Sequence, residues 1–318
     1  MKKNIALFLI LAILVIGVGA KEVRAQDDVR IGLSVIGLKD LWLTYMVDVI
    51  ETEADNMEGV SLTVTDARED SAKQISQIEN FVIRGVDAIM MVPVSPETSE
   101  PAIEIAEEAG IPIIFVNMPP SPEYYDRADS YVGGNSKQSG LLQAEYIAEE
   151  LNYEGNIAIM NGTLGHEAQI KRTEGFMEVI NEHPGMEVVL EGTGNFNRPE
   201  GMELMENWLQ TGEEIDAVMS NNDEMAIGAI KALEAEGKLD EVVVGGIDAT
   251  PAALEYLREG KLTVTVFQDA NGQGKTGLEQ AVKAARGEDI EQEVLVPYQL
   301  VTLENVDEFV AKWEQASE

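Results

Sequence analysis

The chain has 318 residues, with 22 Lys and Arg against 58 Asp and Glu, so its formal net charge is −36. Nucleic acid and anionic lipid would repel so acidic a chain. It contains no cysteine, which excludes a disulfide framework, a thiolate zinc site and a thiol nucleophile. Hydrophobic residues make up 45% of the sequence and are spread along it, which predicts a large buried core.

The N-terminus has the pattern of a secretory signal peptide. Two lysines follow Met1, an apolar run extends from Ile5 to Ala20, and Val23-Arg24-Ala25 is a small-x-Ala cleavage pattern. The alternative is an uncleaved membrane anchor, but the apolar run is short for a segment that must span a bilayer. We expect residues 1–25 to be removed. Because no lipid-attachment cysteine follows, the mature protein should be periplasmic and free of direct membrane insertion.

Short apolar segments recur along the rest of the chain and predict strands. Most of them are apolar on both faces, as in strands that are covered by helices on each side. In chain order they are Val29–Ile36, Val60–Thr65, Ala88–Val92, Ile111–Val116, Asn156–Met160, Met186–Leu190, Ala217–Ser220, Val242–Ile247 and Leu262–Phe267.

Amphipathic helix patterns lie between these strands. Residues 43–54 and 141–151 are examples, each with an apolar stripe at helical spacing and acidic residues on the other faces. Alternating strands and helices predict an α/β fold of doubly wound parallel sheets, and the chain length suggests two domains.

Ligands of such sheets bind beyond the carboxyl ends of the strands. The residues there are rich in Asn, Asp and Gln, and Trp42 and Phe196 add aromatic rings. Amides and carboxylates beside aromatic faces suit a polyhydroxylated ring. Helix capping is the alternative for each single polar residue. The segments are Gly37–Asp40, Asp66–Asp70, Pro93–Ser95, Asn117-Met118, Asn161–His166, Asn195–Arg198, Asn221–Glu224, Ile247-Asp248 and Gln268-Asp269.

The sequence contains no complete motif for catalysis or cofactor binding. The segment Gly272–Thr276 resembles the end of a phosphate-binding loop, but Asp269 stands where the loop needs its first glycine. The two histidines, His166 and His183, do not form a metal-binding pattern, and no Gly-x-Ser-x-Gly elbow occurs. The sequence therefore predicts a binding protein with no metal, no cofactor and no catalytic residue.

Three segments resemble a known family. Ser220–Ala229, Val244–Pro251 and Gly260–Gln268 are similar in order and spacing to the ribose-binding branch of periplasmic sugar-binding proteins, the type I solute receptors of ABC importers. The resemblance extends from about Val29 to the C-terminus. The segment Lys73–Phe81 looks closest to the inositol- and rhizopine-type members.

The resemblance implies two similar doubly wound parallel-sheet lobes joined by a three-strand hinge. The N-terminal lobe would comprise residues 26–132 and 270–296, and the C-terminal lobe residues 133–269 and 297–318. The hinge crossings would be Tyr131–Gly134, Gln268–Asn271 and Val296–Gln299.

The resemblance also implies a ligand site between the lobes. Trp42 and Phe196 take the positions of aromatic residues that stack on a sugar, and Asp70 that of a residue that reaches a hydroxyl. Arg172 matches a ligand-binding arginine. The amide, carboxylate and hinge-side amide that hold ring hydroxyls correspond to Asn222, Asp248 and Gln268.

The chain departs from the family pattern at several positions. Asn117-Met118 replaces an Asp-Arg pair, which favours a deoxy, methylated or differently hydroxylated ligand over an ordinary pyranose. Gly134 replaces an aspartate after the first crossing. Further contacts could come from Lys39, Asp40 and His166.

The resemblance implies a monomeric receptor that captures a monosaccharide or cyclic polyol and delivers it to an ABC permease. A ligand sensor for a chemoreceptor or membrane histidine kinase stays open, because it would use the same cleft. The signal peptide and the charge disfavour a cytoplasmic repressor, and the missing cofactor motif disfavours a Rossmann-type enzyme. The acidic helix faces predict a surface adapted to a salty periplasm.

Overall fold

The computed structural model describes residues 28–316, so the predicted signal peptide lies outside the described residues. The strands are β1 Val29–Val35, β2 Val60–Asp66, β3 Ala88–Met91, β4 Ile113–Asn117, β5 Ser130–Gly133, β6 Glu154–Asn161, β7 Gly185–Thr193, β8 Ala217–Ser220, β9 Val243–Gly245, β10 Thr265–Phe267, β11 Glu293–Leu295 and β12 Gln299–Val301. The helices are α1 Leu41–Asn56, α2 Ser71–Arg84, α3 Ser99–Ala109, α4 Ser136–Glu150, α5 Glu167–Glu182, α6 Arg198–Leu209, α7 Asp223–Ala235, α8 Pro251–Arg258, α9 Ala270–Ala285 and α10 Val306–Ala316.

The first sheet has six parallel strands in the order β11-β5-β4-β3-β1-β2. Helices α1 and α9 cover one face, where Met46 and Ile50 pack with Leu278. Helices α2 and α3 cover the other face, where Phe81 and Ile103 are buried. Strand β3 is buried on both faces, which is why its sequence is apolar without alternation.

The second sheet has four parallel strands in the order β7-β6-β8-β9. A parallel bridge between Gly245 and Val264 connects it to the antiparallel pair β10 and β12. Helices α4 and α5 pack on one face around Phe176, and α7 and α8 pack on the other around Leu254. Both sheets are therefore doubly wound, as the alternation of strands and helices predicts.

The chain passes between the two sheets three times. The passages follow β5, follow β10, and lie between β11 and β12. The second is shorter than the predicted crossing Gln268–Asn271, because Asp269 caps α9 and the helix begins at Ala270. After the third passage, α10 packs on α8, and its Trp313 ring lies 4.9 Å from the Tyr45 ring of α1.

All nine predicted strands are present, with ends that differ by at most three residues, and Ala217–Ser220 matches β8 at both ends. Strand β7 extends three residues beyond the predicted end at Leu190, and in Leu262–Phe267 only Thr265–Phe267 is regular strand. Strands β5, β11 and β12 are not among the predicted strands, because each has only three or four residues, too few for a periodic pattern. Within residues 28–316, no helix has the length and apolar character needed to cross a bilayer.

Glycines allow α4 and α5 to approach closely. A Cβ at Gly140 would overlap the carbonyl oxygen of Arg172, and one at Gly175 would lie 2.6 Å from the carbonyl oxygen of Lys137. The backbones of the two helices are therefore in contact at Arg172, within α5. The position of Arg172 depends on this contact.

We expect Gly140→Ala to destabilise the protein, although alanine is the better helix former. The added methyl must push the two helices apart, at a cost of about 1–3 kcal/mol in the free energy of unfolding. Urea unfolding measures the effect. Gln138→Ala, at an exposed position of the same helix, is the control and should change little. Equal stability of the two variants would contradict the close-contact interpretation.

Candidate ligand-binding site

A cavity of about 680 Å³ lies between the two sheets. Its lining comes from the segments that follow β1 to β4 in the first sheet and β6 to β9 in the second, together with residues of all three passages. These are the carboxyl ends of the parallel strands, where the fold class places its ligands. The volume is in the range of small-molecule sites.

Arg172 of α5 is the buried cation of this cavity, with 4% of its surface exposed. Its Nη1 donates to the carbonyl oxygen of Asn221 at 2.6 Å and lies 3.4 Å from Oδ1 of Asp248. Its Nη2 donates to Oε1 of Gln268 at 2.6 Å and reaches the Tyr298 hydroxyl at 3.5 Å. The guanidinium is thus held by acceptors from four separate segments.

Asp248 faces Arg172 from the segment after β9. Its backbone has a φ of 123°, a conformation that residues other than glycine rarely adopt. The residue is buried. Its N–H donates to Val266 and its carbonyl accepts from Gln268, and these bonds hold the unusual turn. Burial raises the pKa of the Asp248 carboxyl, and the Arg172 guanidinium opposes that shift.

The two predicted aromatic residues both line the cavity. Trp42 is buried on α1, and its Nε1 donates to the carbonyl oxygen of Gln268 at 2.9 Å, which orients the indole. Phe196 has a φ of 57° and is half-buried. Its ring packs on the backbone of Gly162 and meets the His166 ring edge-to-face at 5.1 Å.

Several cavity residues are also helix caps. Asp40 accepts from the Leu43 N–H at 3.0 Å, Asn222 from the Met225 N–H at 3.1 Å, and His166, through Nδ1, from the Ala168 N–H at 3.2 Å. Each cap leaves polar atoms for the cavity, so capping and ligand binding are compatible. Burial raises the pKa of Asp40.

Asp70 is the predicted site residue that the structure does not bring to the cavity. It is exposed, and its Oδ1 accepts from the Lys73 N–H at 2.9 Å as the cap of α2. The preceding residue, Glu69, lines the cavity instead and pairs with Lys39 at 3.1 Å. The side chain of Lys39 is 79% exposed, and such a pair contributes little to stability.

Asn117 is the last residue of β4 and Met118 follows it, and both line the cavity. Asn117 has a φ of 66°, and its Nδ2 donates to Gln273 of α9 at 3.3 Å. Met118 is buried, so its thioether adds apolar surface to the cavity wall.

Sequence reasoning missed several cavity residues, among them Glu167, Ser136 and Tyr298. Oε2 of Glu167 accepts from the Ser136 hydroxyl at 2.8 Å, and burial raises the pKa of this carboxyl. Glu167 directly follows His166, a predicted contact, and Tyr298 lies in the predicted hinge crossing Val296–Gln299. Their positions in the sequence could therefore have pointed to the cavity. Among the described residues, no cluster of histidine and carboxylate side chains could hold a metal ion.

The chain belongs to the periplasmic binding protein domain family, whose model matches residues 31–289. This family consists of solute-binding proteins, and the relatives of this chain include sugar- and polyol-binding proteins of ABC transporters.

Three relatives illustrate the match. The chain is 40% identical over 304 residues, 94% of this chain and 98% of the other, to a protein of Rhizobium meliloti assigned to rhizopine binding. It is 31% identical to a ribose import binding protein of Bacillus subtilis, over 87% of this chain and 88% of that one. An ABC transporter solute-binding protein of Bacillus halodurans with bound myo-inositol is 55% identical, with a TM-score of 0.87, and the match covers 90% of this chain and 99% of that one.

The environment of His166 generates a prediction on pH. Burial, with a smaller effect of Arg172, lowers the pKa of this histidine from 6.5 to about 4. Below pH 6.5 the unfolded chain therefore binds a proton that the folded chain does not, and stability falls as the pH drops toward 4. An asparagine at this position would keep a capping oxygen without titrating. We therefore expect the variant His166→Asn to lose less stability over this range.

Urea unfolding at pH about 7, 5.5 and 4.5 measures the difference between the two proteins. The carboxylates titrate in both, so the difference isolates His166. Parallel stability profiles would contradict the lowered pKa.

Proposed function

We propose that this protein captures a cyclic polyol of the inositol type and delivers it to the permease of an ABC importer. The observation that carries the proposal is the buried pair of Arg172 and Asp248 in the cavity wall, flanked by Trp42 and Phe196. A forked donor beside a bidentate acceptor matches two adjacent hydroxyls. The 55% identity to a protein with bound myo-inositol favours inositol over ribose.

Each predicted contact that lines the cavity has a role in this proposal. Arg172 donates to ring hydroxyls, and Asp248 accepts from them. Trp42 and Phe196 stack on the C–H faces of the ring. Asn222 and Gln268 add amide contacts, and Gln268 is already oriented by Arg172.

The opposite wall would decide which ring is accepted. Asn117 offers one amide, and Met118 offers an apolar surface. The Asp-Arg pair of the family pattern would instead need ligand hydroxyls as hydrogen-bond partners at these two positions. We propose that this wall accommodates a deoxygenated, methylated or reoriented ring position. Lys39, Asp40 and His166 would contact the remaining ring edge.

Ligand binding would close two lobes, residues 26–132 with 270–296 and residues 133–269 with 297–318. Each lobe contains one of the two doubly wound sheets. Contacts from both lobes to one ligand stabilise the closed form. We propose that the closed monomer is the form that the permease recognises.

The place of action is part of the proposal. Cleavage after Ala25 would release the protein into the periplasm, where its acidic surface would suit a salty medium. A sensing receptor would use the same cleft and differ in its docking partner. The import proteins among the relatives favour transport.

We expect myo-inositol to raise the melting temperature of residues 26–318 in a thermal-shift screen against pentoses, hexoses and inositols. A ligand at about 100 times its dissociation constant adds about 2.7 kcal/mol to the free energy of unfolding. A larger shift with D-ribose than with myo-inositol would show that the ligand is a pentose and not a cyclic polyol of the inositol type. The absence of any shift across the panel would overturn the polyol assignment.

We expect Asp248→Asn to weaken myo-inositol binding by about tenfold or more, because a charged acceptor contributes about 1.5–3 kcal/mol to a hydrogen bond. Isothermal titration calorimetry measures the dissociation constant. Asp70→Asn is the matched control: it makes the same chemical change outside the cavity and keeps a capping oxygen. An equal loss of affinity in the two variants would show that Asp248 does not bind the ligand.

A further inference from the structure

Tyr298 lies in the third passage between the sheets, between β11 and β12. The residue is 6% exposed and lines the cavity. Its hydroxyl oxygen is 3.5 Å from Nη2 of Arg172, the nitrogen that also donates to Gln268 in the second passage. Side chains of two passages therefore meet at one guanidinium.

The Tyr298 ring occupies space that a side chain at Gly134 would need. A Cβ on Gly134 would lie 2.5 Å from Cε2 of the ring. Gly134 belongs to the first passage, directly after β5, and is buried. All three passages thus converge on the corner formed by Gly134, Gln268 and Tyr298.

The hydrogen-bonding groups in this corner are unbalanced. A guanidinium only donates, so the phenol oxygen of Tyr298 accepts from Arg172, and the phenol hydrogen needs another acceptor. No acceptor for that hydrogen is found among residues 28–316. Nε of Arg172, buried in the same corner, also has no partner within the described part of the chain. Buried donors without acceptors are costly, so the corner lacks an oxygen.

Titration does not remove the excess donor. Burial raises the pKa of Tyr298, although Arg172 opposes the shift, so the phenol keeps its hydrogen at neutral pH. A carboxylate in the same wall, Asp248, already faces Arg172. Glu167, the other carboxylate of this wall that acts on Tyr298, accepts from the Ser136 hydroxyl and has no hydrogen bond to the phenol among the described residues. An oxygen in the cavity can supply the missing acceptor.

We propose that Tyr298 is a ligand-binding residue that donates its phenol hydrogen to a hydroxyl or ether oxygen of the bound ligand, and that Gly134 is required to make room for its ring. This inference rests on the proposed function. It assigns the ligand a contact with the third passage in addition to the one through Gln268. A ligand oxygen bound here would contact the passages between the sheets directly. These passages are the segments that would bend when the lobes close.

The test compares Tyr298→Phe with the unmodified chain by calorimetry, using myo-inositol and its monodeoxy derivatives. Phenylalanine keeps the ring over Gly134 and removes the hydroxyl, which is both the donor to the ligand and the 3.5 Å acceptor of Arg172. The monodeoxy derivatives separate the two effects, because the loss of the Arg172 contact acts on every ligand alike. We expect the variant to bind myo-inositol about 3–10-fold more weakly. The derivative that lacks the contacted hydroxyl should bind both proteins equally well, because the bond is already absent.

Tyr146→Phe is the matched control, since Tyr146 packs against the same core cluster as Tyr298 but does not line the cavity. It should leave all affinities unchanged. If Tyr298→Phe weakens every ligand of the series by one common factor, or weakens none, the donor role is overturned. If the unmodified chain binds none of these ligands but binds a sugar, the same comparison uses that sugar and its monodeoxy derivatives. Failure of every polyol and sugar to bind the unmodified chain would overturn the proposed function, and this inference with it.

Discussion

The buried charge of Arg172 is the constraint on which the cavity depends. A buried guanidinium is tolerated only when hydrogen bonds and a counter-charge surround it, and here its acceptors come from Asn221, Asp248, Gln268 and Tyr298. These acceptors lie on segments far apart in the chain. The second sheet and two of the three passages must therefore be in place before the charge is compensated, which makes the site a product of the whole fold.

The backbone around the cavity is locally strained. Asn117, Asn195, Phe196 and Asp248 have positive φ values and all line the cavity. Such conformations persist when the surroundings determine them, and they concentrate at functional sites. In each case the chain turns sharply near the end of a strand, and the turn places a side chain at the cavity wall rather than along the next helix.

Helix caps also line the cavity at this edge of the sheets. Asp40, Asn222 and His166 cap helices through one acceptor and still line the cavity. Capping explains the local conformation of these residues, and the position of the strand end explains why they reach the cavity. Asp70 shows the limit of the argument, because it caps α2 in the same way but remains at the exposed surface.

The sequence by itself determined the α/β class, the positions of most strands and the edge of the sheets where the cavity lies. Apolar runs and helical periodicity are local signals, and the family resemblance predicted Arg172 and Asp248, which line the cavity. Only the tertiary structure decided that Asp70 stays outside and that Glu167 and Tyr298 line the wall. Tyr298 meets Arg172 across 126 positions of chain, and Gly134 leaves the space for its ring. No local pattern encodes such contacts, because they arise from the packing of separate segments around one buried charge.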